Sequence, residues 1–130
     1  MITLIVTGHI QFASAMQSVV NAIVGESERI AWINFAEGDT RERLAENVRQ
    51  VIAGVPDGAG ILLLTDVPSG TPFQIALTLG MERADIAVVT GTNVSMITEA
   101  LFERENMATA DELAEHVVNA GQQAVGKYRL

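Results

Sequence analysis

Two short, uninterrupted apolar runs constrain the fold more than any other feature of the sequence. The run from Ile61 to Leu64 has no polar alternation, which is typical of a strand buried on both faces of a parallel sheet. The run from Ile2 to Thr7 consists mostly of β-branched residues and leucine, and a glycine follows it at once. Strands of this kind need helices on both faces of the sheet, so the two runs favour an α/β architecture.

Strand and helix patterns alternate along the rest of the chain. Further strands are predicted at 30–35, where partial polar alternation indicates a peripheral position, and at 85–90. Apolar residues at helical spacing predict helices over 12–23, 44–52, 72–81, 94–102 and 113–118. Because parallel strands are joined by right-handed crossovers, this alternation predicts a three-layer α/β/α fold whose four parallel strands have the order 2-1-3-4.

One domain is expected for residues 1–130, because 48% hydrophobic residues supply a single continuous core at this length. The pattern after Gly121 is ambiguous. Residues 122–128 fit an extension of the last helix or a short edge strand exchanged with another subunit of a dimer. The sequence leaves both alternatives open.

The charge balance and the absence of cysteine exclude several classes of function. The chain has 16 acidic and 8 basic residues and a formal charge of -8, which disfavours a nucleic-acid backbone as its partner. It has no cysteine, which excludes disulfides, thiolate metal sites and cysteine nucleophiles. The N-terminal residues lack a basic leader, so a cytoplasmic location is expected.

The predicted strand order brings two polar residues together. In a sheet of order 2-1-3-4, the ligand crevice lies between the carboxyl ends of the first and third strands. His9 lies just beyond the first of these strands, and Asp66 lies just beyond the third. Adjacent strands are about 4.8 Å apart, so these two residues become neighbours although they are distant in the sequence.

His9 is the candidate reactive group at this edge. A histidine there can transfer a proton, bind a metal or act as a nucleophile. For nucleophilic attack, one ring nitrogen must be held as N–H while the other keeps a free lone pair. We expect Asp66 to accept a hydrogen bond from Nδ1 of His9, which leaves Nε2 as the reacting atom. The predicted catalytic pair is therefore His9 and Asp66.

The segment that follows Asp66 fits a transferred phosphoryl group. Thr71 is expected to cap a helix with its hydroxyl and Pro72 to begin it, while Ser69 and Gly70 turn the backbone tightly. The hydroxyls, the backbone N–H groups and the helix N-terminus would stabilise the negative charge without a metal or a cofactor. The predicted phosphoryl-binding residues of such a carrier are Ser69, Gly70 and Thr71.

Each of these residues also has a purely structural interpretation. A histidine or an aspartate at the end of a strand is commonly a turn residue, and the segment 69–72 would begin a helix in any protein. The coincidence of His9 and Asp66 at one edge favours the functional interpretation. His116 is predicted to be a solvated surface residue. The methionines predicted to pack in the core are Met16, Met81 and Met96.

Four segments of the chain resemble the enzyme IIA component of the mannose-type sugar phosphotransferase system, which includes the mannose, fructose, sorbose and N-acetylgalactosamine systems. These segments cover residues 5–9, 32–35, 63–73 and 91–96. The most specific part is the block Asp-x-x-Ser-Gly-Thr-Pro-Phe in register with an early histidine. Many relatives have glycine where this chain has Ile10, and Gly-Gly where it has Ser69-Gly70.

The resemblance implies a phosphoryl carrier of the phosphoenolpyruvate-dependent system. Such proteins accept a phosphoryl group on a histidine from the histidine-containing phosphocarrier protein. They pass it to enzyme IIB, which phosphorylates the sugar at the membrane subunits IIC and IID. By resemblance, His9 is the phosphorylated histidine, Asp66 is its partner, and Thr71 is a hydroxyl near the phosphoryl site. Family members form dimers, so a homodimer is expected.

Three alternative functions are open at this stage. The phosphoryl-donor subunit of dihydroxyacetone kinase shares the fold and the early histidine, and the identity of the acceptor protein distinguishes it. A response-regulator-like domain with Asp66 as phospho-acceptor needs an acidic pair after the first strand to hold Mg²⁺, and the residues at 7–9 include none. The third alternative is a flavin- or nucleotide-binding protein, although the chain has neither a G-x-G-x-x-G nor a Walker loop.

Overall fold

The computed structural model describes residues 1–130 and has a four-stranded parallel sheet covered by five helices. The strands are β1 (Thr3–His9), β2 (Ile30–Phe35), β3 (Ile61–Thr65) and β4 (Ile86–Val89). The helices are α1 (Phe12–Val24), α2 (Arg41–Ala53), α3 (Thr71–Gly80), α4 (Val94–Glu103) and α5 (Ala110–Gln123). The strand order is β2-β1-β3-β4, which confirms the predicted fold and order. None of the helices combines the length and the apolar character of a membrane span.

The helices form two layers, one on each face of the sheet. Side chains along a strand point alternately to opposite faces, so the central strands supply both layers. Leu4 and Val6 of β1 pack with α1, α4 and α5, whereas Ile5 packs with α2 and α3. The residues of β3 alternate between the two layers in the same way. Burial on both faces explains why the central strands have uninterrupted apolar sequences.

The two outer strands and the C-terminal segment form the edges of the molecule. β2 lies at one edge, and all of its residues are half-buried, as its partial polar alternation predicts. β4 lies at the other edge and pairs only with β3. The helix α5 ends at Gln123, and residues 125–130 form no helix or strand in the single chain. The exchanged C-terminal strand therefore stays a prediction.

Two side chains differ from their predicted environments. Met81 is predicted in the core but is 81% exposed, because it follows the last residue of α3 and points away from both layers of the core. The other two methionines agree with the prediction, since Met96 is buried and Met16 packs partly against the core. His116 is half-buried instead of solvated, and its Nε2 lies 2.9 Å from Oε1 of Glu99. The packing of α5 against α4 accounts for this second contact between a histidine and a carboxylate.

Candidate functional site

His9 and Asp66 meet at the carboxyl edge of the sheet. His9 is the last residue of β1, and Asp66 directly follows β3, the strand that pairs with β1. Nδ1 of His9 lies 2.8 Å from Oδ2 of Asp66. The backbone N–H of His9 donates a hydrogen bond to the same oxygen at 2.8 Å. One carboxylate oxygen thus binds both the ring and the main chain of the histidine.

The ionisation of Asp66 determines which nitrogen of His9 carries the proton. Burial raises the pKa of the Asp66 carboxyl, but the hydrogen bonds from the main chain and the ring of His9 outweigh it, so the net pKa lies below the usual 3.8. An ionised carboxylate only accepts hydrogen bonds, so Nδ1 carries the proton and Nε2 of the neutral ring keeps its lone pair. The His9 side chain is 41% exposed, against 11% for Asp66, so the ring is the accessible member of the pair.

Gly8 allows the two side chains to approach each other. A Cβ atom on residue 8 would lie 2.9 Å from Cγ of Asp66 and 2.5 Å from Cδ2 of Phe12. Any side chain at this position would therefore displace the carboxylate or the first residue of α1. The sequence reasoning did not assign this role to Gly8, although a glycine inside a strand signals the close approach of another group.

Gly70 lies against the nitrogen that keeps its lone pair. Its φ of 83° and ψ of -176° define a conformation that is essentially restricted to glycine. A Cβ atom on residue 70 would lie 2.7 Å from Nε2 and 2.9 Å from Cε1 of His9. Both the backbone conformation and the space beside Nε2 therefore require glycine at this position.

The N-terminus of α3 differs from the prediction. Gly70 is the N-cap, and Thr71 does not cap the helix, because the helix begins one residue earlier than expected and Thr71 is its first residue. No side chain caps this terminus. The helices whose N-termini are capped by a side chain are α2, α4 and α5, through Thr40, Asn93 and Thr109. The first N–H groups of α3 are therefore available to an anion bound beside Gly70.

The two predicted hydroxyl residues lie on either side of Gly70 in the sequence. The side chain of Ser69 is exposed and makes no hydrogen bond. Thr71 is half-buried, and its Oγ1 lies 3.5 Å from Nη1 of Arg41, the first residue of α2. Gly70, the third predicted phosphoryl-binding residue, lies with its backbone against the ring of His9.

Phe35 and Ile10 complete the surroundings of the ring. Phe35 is the last residue of β2 and lies edge-on to His9, with ring centroids 6.3 Å apart. Its carbonyl oxygen accepts a hydrogen bond of 2.8 Å from the N–H of Ile10. Ile10 has a φ of 58°, a conformation that is strained for a β-branched residue and unstrained for glycine. The position of Phe35 at the end of a neighbouring strand was the available sequence signal for its role.

The site is an open surface and not a cavity. His9 and Asp66 line none of the five cavities in the structure. The largest, of about 580 Å³, lies at the opposite edge of the sheet, where residues 58–60 precede β3 and residues 84–85 precede β4. No group of three or more histidine, aspartate or glutamate side chains is arranged to hold a metal ion. An exposed imidazole on an open surface suits a reactant presented by another protein, since small ligands are usually enclosed in pockets.

A family model and similar known proteins all point to the same kind of protein. Residues 3–118 match the family model EIIA-man, described as the fructose IIA component of the phosphotransferase system (PTS). The chain is 28% identical over 124 residues to the PTS mannose-specific EIIAB component of Escherichia coli K12, which covers 95% of this chain and 38% of that protein. It is 29% identical over 113 residues to the PTS fructose-specific EIIA component of Bacillus subtilis, which covers 87% of this chain and 77% of that protein.

A solved structure is also similar to this chain over almost its whole length. The crystal structure of the phosphotransferase system component EIIA from Streptococcus agalactiae has a TM-score of 0.91 and 29% identity to this chain. That similarity covers 98% of this chain and 97% of the other. By contrast, the chain spans only 38% of the length of the Escherichia coli protein, so the similarity to that relative concerns one part of it.

Proposed function

Because this chain belongs to the EIIA-man family of phosphotransferase-system IIA components, we propose that it carries a phosphoryl group on Nε2 of His9. Family membership confirms the predicted class, a IIA phosphoryl carrier of a sugar phosphotransferase system. The phosphorylated residue, the phosphohistidine intermediate and the identity of the partner proteins are part of the proposal. The observation that carries it is the 2.8 Å contact between Nδ1 of His9 and Oδ2 of Asp66, which in the neutral ring leaves the lone pair on Nε2.

The proposed step is a transfer between two imidazole rings. The lone pair of Nε2 attacks the phosphorus atom of the phosphohistidine on the phosphocarrier protein. As the new N–P bond forms, the old one breaks, and its electron pair returns to the imidazole of the phosphocarrier. The ring of His9 then becomes a phosphorylated imidazolium, whose positive charge the carboxylate of Asp66 stabilises. Transfer to enzyme IIB follows when a nucleophile of that protein attacks the same phosphorus atom, the Nε2–P bond breaks and its electron pair returns to the ring of His9.

The phosphoryl group itself is proposed to lie beside Gly70. The absence of a side chain at residue 70 leaves space next to Nε2, and the uncapped start of α3 directs N–H groups and a partial positive charge towards an anion there. Ser69 and Thr71 flank this glycine, and their hydroxyls are the proposed side-chain ligands. Such fixed donors stabilise charge that develops during transfer.

The proposed partners are proteins. Residues 1–130 act as one cytoplasmic IIA domain that receives its phosphoryl group from the histidine-containing phosphocarrier protein. The acceptor is enzyme IIB, which links this chain to the membrane subunits IIC and IID. The open site around the 41% exposed His9 supports exchange between docked proteins.

A homodimer is also proposed, on the basis of the open sheet edge at β4. The segment after α5 includes the exposed apolar residues Val125, Tyr128 and Leu130. The free backbone groups of an edge strand are paired when a segment from another copy, with exposed apolar side chains, adds to the sheet as a further strand. Analytical ultracentrifugation is expected to show a dimer for the full chain and a monomer after removal of residues 125–130. A full chain that sediments as a monomer would contradict this.

The proposed function is tested by following labelled phosphate from phosphoenolpyruvate through enzyme I and the phosphocarrier protein. The wild-type chain is expected to take up the label in a form that is lost in acid and kept in alkali, as phosphohistidine is. A label that is lost in alkali would indicate an acyl phosphate on Asp66 and would contradict the assignment of His9. A folded wild-type protein that takes up no label would contradict the proposed function.

Replacement of Asp66 by asparagine is expected to slow labelling by about 10²-fold or more, although His9 is still present. Asparagine has nearly the same shape, but it has no charge to stabilise the imidazolium and does not enforce the Nδ1–H tautomer. The matched control is Glu99→Gln, which alters the other histidine–carboxylate contact, between Glu99 and His116. This control should be labelled at the wild-type rate. Equal initial rates for Asp66→Asn and wild type would exclude a role for the carboxylate.

A further inference from the structure

Arg41 is the basic side chain that hydrogen bonds connect to the proposed phosphoryl-binding segment. It is the first residue of α2, and its Nη1 lies 2.7 Å from Oε1 of Gln74 and 3.5 Å from Oγ1 of Thr71. Both of these residues lie in the first turn of α3. Thr71 directly follows Gly70, whose backbone lies against Nε2 of His9. The guanidinium group is therefore located beside the segment where the phosphoryl group is proposed to bind.

Most of the hydrogen-bonding capacity of Arg41 is unused within the chain. Its Nε and Nη2 atoms make no hydrogen bond, and no carboxylate pairs with it, although the chain has 16 acidic residues. Two other arginines are held by several partners within the chain. Arg83 pairs with Asp85 at 2.7 Å, and the buried Arg104 donates to three backbone carbonyl groups. Arg41 thus keeps one free edge of its guanidinium group, which has two donors side by side.

The location of Arg41 is unfavourable for a cation unless an anion is also present. The residue begins α2, and its side chain lies against the first turn of α3. The N-termini of helices carry partial positive charge, so both helix dipoles repel the guanidinium group. An anion beside Gly70 would attract the guanidinium group and both helix termini together. The arrangement therefore fits a site that is completed by a negatively charged group.

We propose that Arg41 binds the phosphoryl group carried on His9 through its Nε and Nη2 atoms. The planar guanidinium fork matches two oxygen atoms of a phosphoryl group, and such bidentate contacts are among the stronger hydrogen bonds in proteins. Gln74 and Thr71 hold the remaining nitrogen, Nη1, and thereby direct the free edge. The inference rests on the proposed function and adds to it a cationic ligand for the transferred group.

The experiment compares Arg41→Gln with Arg43→Gln. Arg43 is also an exposed residue at the start of α2, and its side chain makes no hydrogen bond, so both variants lose the same charge from the same helix. The equilibrium constant for phosphoryl transfer from the phosphocarrier protein is expected to fall about fivefold in Arg41→Gln and to stay unchanged in Arg43→Gln. The difference is expected to shrink in about 1 M salt, because the contact is electrostatic and partly exposed.

A second measurement separates binding from a structural role. Arg41 favours the dianionic phosphoryl group, so ³¹P NMR of phosphorylated Arg41→Gln is expected to show titration at a higher pH than in wild type or Arg43→Gln. A role confined to joining α2 and α3 would lower the thermal unfolding temperature without changing this titration. Equal titrations and equal equilibrium constants in the three labelled proteins would overturn the role of Arg41 alone. Absence of label in the wild type would instead overturn the assignment of His9, and with it the role of Arg41.

Discussion

Phosphoryl labelling of the His9→Ala protein is expected to fall to background, at least about 10³-fold below the wild-type rate. Alanine has no nucleophile, and Asp66 alone forms no phosphohistidine. The chain has one other histidine, His116, which lies in α5 and contacts Glu99 at 2.9 Å. The measurement is the initial rate of label transfer from phosphoenolpyruvate through enzyme I and the phosphocarrier protein.

The matched control for this variant is His116→Ala, which removes the second histidine and should be labelled like wild type. The fold of His9→Ala is expected to persist, because the imidazole is 41% exposed and the backbone N–H of residue 9 still donates to Asp66. Circular dichroism and thermal unfolding check that the variant is folded. Label retained at the wild-type level in a folded His9→Ala protein would refute the assignment of the phosphorylated residue.

Gly70→Ala is expected to lower the rate of labelling by about 10²-fold or more, because the new methyl group would lie 2.7 Å from Nε2 of His9. The ring or the loop has to shift, and either movement displaces the nucleophile from the donors at the start of α3. The same variant is expected to lose about 1–3 kcal/mol of unfolding free energy, since its backbone conformation is essentially restricted to glycine. Labelling rates and urea denaturation measure the two effects.

Gly25→Ala separates these two effects. Gly25 has a φ of 80° and a ψ of 178°, close to the 83° and -176° of Gly70, but a Cβ atom there would meet nothing within 4 Å. Both variants therefore introduce the same backbone strain, and only one of them places an atom against His9. Gly25→Ala is expected to be destabilised and labelled normally. Similar labelling rates in the two variants would show that the contact with Nε2 is unimportant.

The meeting of His9 and Asp66 was predictable because it depends on strand order and not on side-chain detail. Uninterrupted apolar strands joined by helices restrict the sheet to a parallel one, and parallel strands end at the same edge. Once the first and third strands are neighbours, the residues that end them are close for any reasonable choice of boundaries. The structure has this order, and the two side chains make a 2.8 Å contact.

Features that depend on a single residue of register were not predictable in the same way. The start of α3 was recognised from residues 69–72, but whether Gly70 or Thr71 serves as the cap depends on one pair of backbone angles. Met81 shows the same limit at the other end of this helix, where a shift of one residue decides whether a side chain is buried or exposed. Sequence patterns place such ends only to within a residue or two.

Contacts between side chains of different elements formed a second group that sequence reasoning missed. Arg41 reaches α3 because α2 and α3 pack side by side on one face of the sheet, and nothing in the local pattern of either helix indicates the contact. Gly8 is a similar case, and so is the close approach of Gly70, a predicted site residue, to Nε2 of His9. Their importance comes from the distance to Asp66 or His9, which only the assembled fold supplies.

Oδ2 of Asp66 accepts hydrogen bonds from both Nδ1 and the main-chain N–H of His9, and this double contact affects how far the ring has to move during phosphoryl exchange. Because Oδ2 of Asp66 binds both Nδ1 and the backbone N–H of His9, we expect the ring to keep its orientation when the proposed phosphoryl group is attached. In the proposed carrier, a small reorganisation barrier would assist the receipt and the donation of the phosphoryl group equally. In the proposed carrier, the rate of exchange is then expected to depend on how often the partner proteins dock, and not on motion of the histidine.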